Sequence, residues 1–85
     1  GQKCSACSRV IVLDACHDAF VPRLIESTRS LVVGDALDPG TDVGPLIDLD
    51  AAAKVRGYVE RGKRELKTLL ATDTATLGER FVGPH

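Results

Sequence analysis

A chain of 85 residues is enough for one small domain at most, and it buries only roughly 60–65% of the surface its unfolded form exposes. The composition, 44% hydrophobic and 27% charged, is globular and argues against disorder. With 11 Lys and Arg against 12 Asp and Glu, the net charge is −1. Nothing supplies the basic stripe that nucleic acid needs, and no apolar run is long enough for a membrane span.

The elements follow in chain order. Cys4 to Ser8 is a run of small residues after Gly1-Gln2-Lys3, and it reads as a turn opening into a helical turn. Arg9-Val10-Ile11-Val12-Leu13 is a β-branched apolar run of strand length, expected to be buried on both faces. A helical pattern runs from about Ala15 to Ser30, with Cys16, Phe20, Leu24 and Thr28 on one stripe and Val21, Ile25 and Val32 widening it. Pro22 falls inside it, where the missing N–H removes a helix hydrogen bond. The reading leans towards a continuous helix whose first turn is distorted, against a helix that starts at Pro22. Gly34 to Pro45 carries loop chemistry, rich in Gly, Pro and Asp. A second helix is expected from about Leu49 to Glu65, capped by Asp48 or Asp50, with an apolar stripe of Ala52, Val55, Tyr58/Val59 and Gly62. Gly57 and Gly62 each weaken it by roughly 1 kcal/mol relative to Ala. Leu66 to Ala71 and Arg80-Phe81-Val82 are candidate strands on either side of a polar surface loop. The order is strand–helix–loop–helix–strand–strand, an α/β class, with residues 1–85 as one unit and no internal boundary.

Only Phe20, Tyr58 and Phe81 are aromatic, so the core is expected to be mostly Val, Leu, Ile and Ala. There is no methionine, and the chain opens on Gly-Gln-Lys-Cys and stops at Gly83-Pro84-His85; it reads as a fragment. The odd number of cysteines, without secretory features, favours free thiols in a reducing compartment.

Chemistry concentrates on Cys4. A thiol becomes a useful nucleophile when its thiolate is stabilised, as near a helix N-terminus, where backbone N–H groups also stabilise an oxyanion. Lys3 adds positive charge, and the small Ser5 and Ala6 keep access open. On these residues alone, a buried and inert cysteine is the commoner outcome. Cys4-Ser5-Ala6-Cys7 is formally a C-x-x-C, and with Cys16 and His17 it suggests a zinc site. However, adjacent Cys16 and His17 suit one tetrahedral ion poorly, and no second C-x-x-C exists. A thioredoxin-like role needs a preceding strand, and nothing later in the chain supports it. Cys7 reads as a small packing residue, Cys16 as core and His17 as a rim residue.

Gly1-Gln2-Lys3-Cys4-Ser5-Ala6-Cys7-Ser8 resembles the active-site cysteine signature of the aldehyde dehydrogenase superfamily. The similarity continues through Leu31-Val32-Val33-Gly34-Asp35, Asp42-Val43-Gly44-Pro45-Leu46-Ile47-Asp48, Gly57-Tyr58-Val59, Gly62-Lys63 and Arg80-Phe81-Val82-Gly83-Pro84. The first motif is most similar to the 1-pyrroline-5-carboxylate (glutamate semialdehyde) dehydrogenase branch, including the corresponding domain of bifunctional proline-utilisation proteins. The resemblance implies part of the catalytic domain of that fold, beginning at the nucleophile motif. It implies Cys4 as nucleophile, Ser5 as a contact to the substrate carboxylate, and Lys54 as a contact to the adenosine ribose of NAD or NADP. At Lys54 the sequence departs from the pattern, because Ala51 stands where a Gln is expected, and a solvated helix lysine is the plainer reading.

The family's catalytic Asn and Glu and its dinucleotide-binding domain precede the nucleophile and are not in this chain. The resemblance therefore implies an inactive fragment that binds no cofactor tightly. Its expected partners are a small aldehyde substrate and the remainder of a parent enzyme, itself homo-oligomeric. The parent is expected in the cytoplasm, or in the mitochondrial matrix of a eukaryote. The alternatives are a non-catalytic folding or interaction fragment, or a Cys/His zinc or C-x-x-C redox module.

Overall fold

The computed structural model describes residues 3–85 and contains two helices, α1 over Asp14–Arg29 and α2 over Leu49–Glu65. Their positions follow from local chemistry. In α2, Asp48 is the N-cap: its backbone is extended, and its carboxylate accepts a hydrogen bond from the Ala51 N–H at 2.7 Å. Asp50 in the first turn and Lys63 and Arg64 in the last complement the helix dipole. The helix stops at Leu66, whose backbone is extended and whose N–H closes the last turn on the Gly62 carbonyl at 2.8 Å. The predicted bounds of α2 and one of its two candidate caps match the structure.

α1 begins with no side-chain cap. Asp14 in its first turn and Arg29 in its last are its electrostatic support, and Glu26 pairs with Arg29 at 2.6 Å. The helix continues through Pro22, so the continuous reading holds. Pro22 has no N–H to offer the carbonyl four residues earlier, and α1 lacks one rung of its ladder there.

The loop between the helices is closed at its neck. Val33 and Val43 form an isolated parallel bridge, with the Gly34 N–H on the Val43 carbonyl and the Val43 N–H on the Val32 carbonyl, both at 3.0 Å. The Asp42 carboxylate accepts from the Val32 N–H at 2.9 Å. Inside the neck, Asp35 and Asp38 accept from the N–H groups of Leu37 and Gly40 at 2.9 and 2.8 Å, the self-bonding that makes Asp a turn residue. A Cβ on Gly34 would come within 2.9 Å of Thr41 Oγ1, so the glycine lets the two sides of the neck approach.

The three predicted strands do not form. Among the described residues no ladder is present; Arg9–Leu13, Leu66–Ala71 and Arg80–Val82 are irregular. The reason is the absence of partners. A continuous β-branched run buried on both faces needs a strand on each side, and no described segment pairs with Arg9–Leu13 as a strand. Ile11 is accordingly 94% exposed and Leu13 72%. The C-terminal segments do approach each other. The Thr72 N–H bonds the Pro84 carbonyl at 3.1 Å, and a Cβ on Gly83 would lie 2.7 Å from the Thr72 Cβ. One hydrogen bond is not a ladder, so the α/β expectation reduces here to two helices and extended connections.

Packing is sparse. The accessible surface is 6949 Å², against roughly 4,900 Å² for a compact protein of the same mass. The radius of gyration is 13.9 Å, against about 12 Å for a compact domain of this length. Ala52 is the one fully covered apolar side chain among the described residues. The α2 stripe of Ala52, Val55, Val59 and Gly62 is the less exposed face, as predicted, but Tyr58 stays 64% exposed. On α1 the half-buried line is Val21, Ile25 and Thr28, whereas Cys16, Phe20 and Leu24 remain exposed. No Cα of α1 comes within 8 Å of one in α2. Instead Leu24, Ile25 and Thr28 line one open groove of about 680 Å³ together with Val55, Val59 and Gly62.

Candidate nucleophile turn

The sequence placed the chemistry on Cys4, and the structure puts Cys4 and Ser5 together at the centre of one turn. The Ala6 N–H donates to the Lys3 carbonyl at 3.0 Å, which closes the turn around these two residues. Gly1 and Gln2, the start of the motif, lie outside the described residues. Cys4, Ser5 and Cys7 are all exposed, and the thiols of Cys4, Cys7 and Cys16 are free. The Cys7 thiol donates to the Arg9 carbonyl at 3.1 Å.

Two expectations about this site change. Cys4 does not stand at a helix N-terminus, because the next helix begins at Asp14. The turn supplies local backbone N–H groups but no helix dipole. Cys7 and Cys16 were expected to pack, and both are exposed, since no described element covers them. His17 is exposed, as expected of a rim residue, with its Nδ1 2.9 Å from the neighbouring Asp18 carboxylate. Among the described residues no group of three or more His, Cys, Asp and Glu side chains converges as metal ligands do.

Lys54 lies on the exposed side of α2, on a different element from the turn. Its ammonium is open to solvent, which suits a ribose contact no better than it suits a solvated surface lysine. The chain has no G-x-G-x-x-G phosphate loop.

Glu60 is held below its ordinary pKa by its hydrogen bond from Lys63, 2.9 Å away, and by that residue's charge.

One residue that sequence reasoning did not single out has a positioning role. Arg56 on α2 donates to the Glu79 carbonyl and, at 3.4 Å, to the Phe81 carbonyl, while the Thr74 hydroxyl donates to the same Phe81 carbonyl at 3.0 Å. The Leu46 N–H bonds the Arg80 carbonyl at 2.9 Å. These bonds tie the Arg80–Pro84 motif to α2 and to the end of the long loop. An Arg on a helix face carries no sequence mark of such long-range partners, so nothing in the pattern could have found it.

Comparison with known proteins bears on the motif. The aldehyde dehydrogenase family matches residues 1–85, the whole chain. A 1-pyrroline-5-carboxylate dehydrogenase of Geobacillus sp. (strain WCH70) is 48% identical over 65 residues, covering 76% of this chain and 13% of that protein. The 1-pyrroline-5-carboxylate dehydrogenase of Anoxybacillus flavithermus is 45% identical over 69 residues, 81% of this chain and 13% of that protein. A betaine aldehyde dehydrogenase of Brucella anthropi is 45% identical over 69 residues, 81% of this chain and 14% of that protein. The chain thus spans about 13% of the length of these 1-pyrroline-5-carboxylate dehydrogenases. No solved structure matches. With a family match that runs from the cysteine motif to the last residue, the chain belongs to the aldehyde dehydrogenase family.

Proposed function

We propose that the chain is the nucleophile-bearing segment of an NAD(P)-dependent aldehyde dehydrogenase that oxidises L-glutamate γ-semialdehyde to its carboxylate. The observation that supports this reading is Cys4 and Ser5 side by side at the centre of an exposed turn, within the family's cysteine motif. The Cys4 thiolate attacks the aldehyde carbon, and the carbonyl oxygen becomes an oxyanion held in part by the Cys4 N–H. The nicotinamide cofactor of the longer protein supplies the hydride acceptor. Cys4 then carries the acyl group as a thioester, which water hydrolyses. Ser5, one residue on, donates its hydroxyl to the distal carboxylate of the substrate.

A base, the second oxyanion donor and the dinucleotide site come from the rest of the longer protein, so the 85-residue chain by itself turns over nothing. The longer protein is proposed to be a homo-oligomer in a reducing compartment, the cytoplasm or the mitochondrial matrix, in keeping with the three free thiols. Betaine aldehyde is the competing substrate, because a relative named for it is 45% identical.

The test uses the full-length enzyme and the chain side by side, with reduced cofactor followed by absorbance. Cys4→Ser abolishes turnover in the enzyme. Ser5→Ala raises KM for glutamate semialdehyde and leaves betaine aldehyde unaffected. Turnover by the isolated chain, or full activity of Cys4→Ser, overturns the proposal.

A further inference from the structure

A second thiol, which aldehyde oxidation does not use, directly follows the turn. Cys7 follows Cys4 with only Ser5 and Ala6 between them. Both thiols are free and exposed, and the two residues between them carry small side chains. The Ala6-to-Lys3 hydrogen bond already bends the backbone at this point. The Cys7 thiol is occupied only by an exposed bond to the Arg9 carbonyl, which water can replace. Closing so short a loop costs little chain entropy compared with reaching Cys16, which sits in the first turns of α1.

We propose that Cys4 and Cys7 are a peroxide-responsive pair that closes into a reversible intramolecular disulfide. The chemistry balances in two steps. The Cys4 thiolate attacks one oxygen of hydrogen peroxide; the S–O bond forms, the O–O bond breaks and hydroxide leaves. Sulfur is oxidised to a sulfenic acid and the peroxide oxygen is reduced. The Cys7 sulfur then attacks the Cys4 sulfur; the S–S bond forms, the S–O bond breaks, and the departing hydroxide takes the Cys7 proton as water. An external dithiol returns both thiols by exchange. The pairing itself stands on the turn. Its consequence rests on the proposed nucleophile role: the disulfide masks Cys4 reversibly and diverts it from irreversible over-oxidation.

The sequence makes the test direct. Trypsin cuts after Lys3 and after Arg9, so Cys4 and Cys7 share the peptide Cys4–Arg9, while Cys16 falls on Val10–Arg23. The 85-residue chain is treated with hydrogen peroxide, alkylated, digested and weighed. The expected product is a Cys4–Arg9 peptide lighter by two hydrogen atoms and closed to alkylation until a dithiol is added. In Cys7→Ser that product is lost, and Cys4 takes up oxygen instead. In Cys16→Ser it is unchanged. A Cys4–Arg9 peptide that keeps both thiols open, or Cys4 joined to Cys16 or to a second chain in place of Cys7, overturns the proposal. These readouts need no turnover, so they separate a failure of the pairing from a failure of the nucleophile assignment.

Discussion

The two helices are nearly equal in length and opposite in how they are held. α2 has a side-chain cap at Asp48, a covered residue at Ala52 and a guanidinium at Arg56 that binds the C-terminal segment. α1 has no side-chain cap, no buried residue and a proline inside it. The contrast teaches where this chain is self-sufficient. The long loop, α2 and the Arg80–Pro84 motif bond one another across long sequence separations. The cysteine turn, the Arg9–Leu13 run and α1 rest mainly on local contacts, and most of their apolar side chains are exposed. Isolated helices of this length are marginal in water without tertiary support, so α1 is the weaker of the two.

Three substitutions break or sharpen that comparison. The largest effect is expected from Pro22→Ala, which restores a backbone donor in α1 and relieves about 3 kcal/mol of helix-interior penalty. Residue-resolved helicity from backbone chemical shifts should rise across Ala15–Arg29 and stay level across α2. No rise in α1 would mean that the proline is not what separates the helices. Next is Asp48→Ala, which removes the cap bond to Ala51 and costs about 1 kcal/mol. Amide exchange should quicken through the first turns of α2, moving it towards α1; unchanged exchange there would show the cap to be idle.

The smallest effect is expected from Glu60→Gln. Lys63 lowers the pKa of Glu60 in the folded chain, so its contribution is present above the unfolded value and fades as pH falls through the lowered folded value. The substitution should flatten the acid limb of α2 helicity slightly. A change near neutral pH would contradict this assignment.

Much of the helical content was legible in the sequence. The bounds of α2 follow from Asp48 at its start and the spacing of Ala52, Val55 and Val59. α1 was placed within a residue at each end, Pro22 included. The loop from Gly34 was legible from its Gly, Pro and Asp, because these residues turn a chain through their own backbone and side-chain bonds. Cys4 and its turn were legible as a motif, and the family it belongs to is confirmed over the whole chain. The helix dipole expected at Cys4 and the packing expected of Cys7 and Cys16 were not realised, because both depend on neighbours that no described residue supplies.

What the sequence determined by itself is therefore what local bonds can enforce: two helices, the Asp48 cap of α2, the Gly-, Pro- and Asp-rich loop and the cysteine turn. Tertiary structure alone decided which of those elements hold together. Arg56 found the carbonyls of Glu79 and Phe81 far along the chain, while Val10-Ile11-Val12-Leu13 found no partner strand and stayed irregular and largely exposed. The physical reason is that a helix satisfies its backbone within its own segment, whereas a strand is completed only by the hydrogen bonds of another.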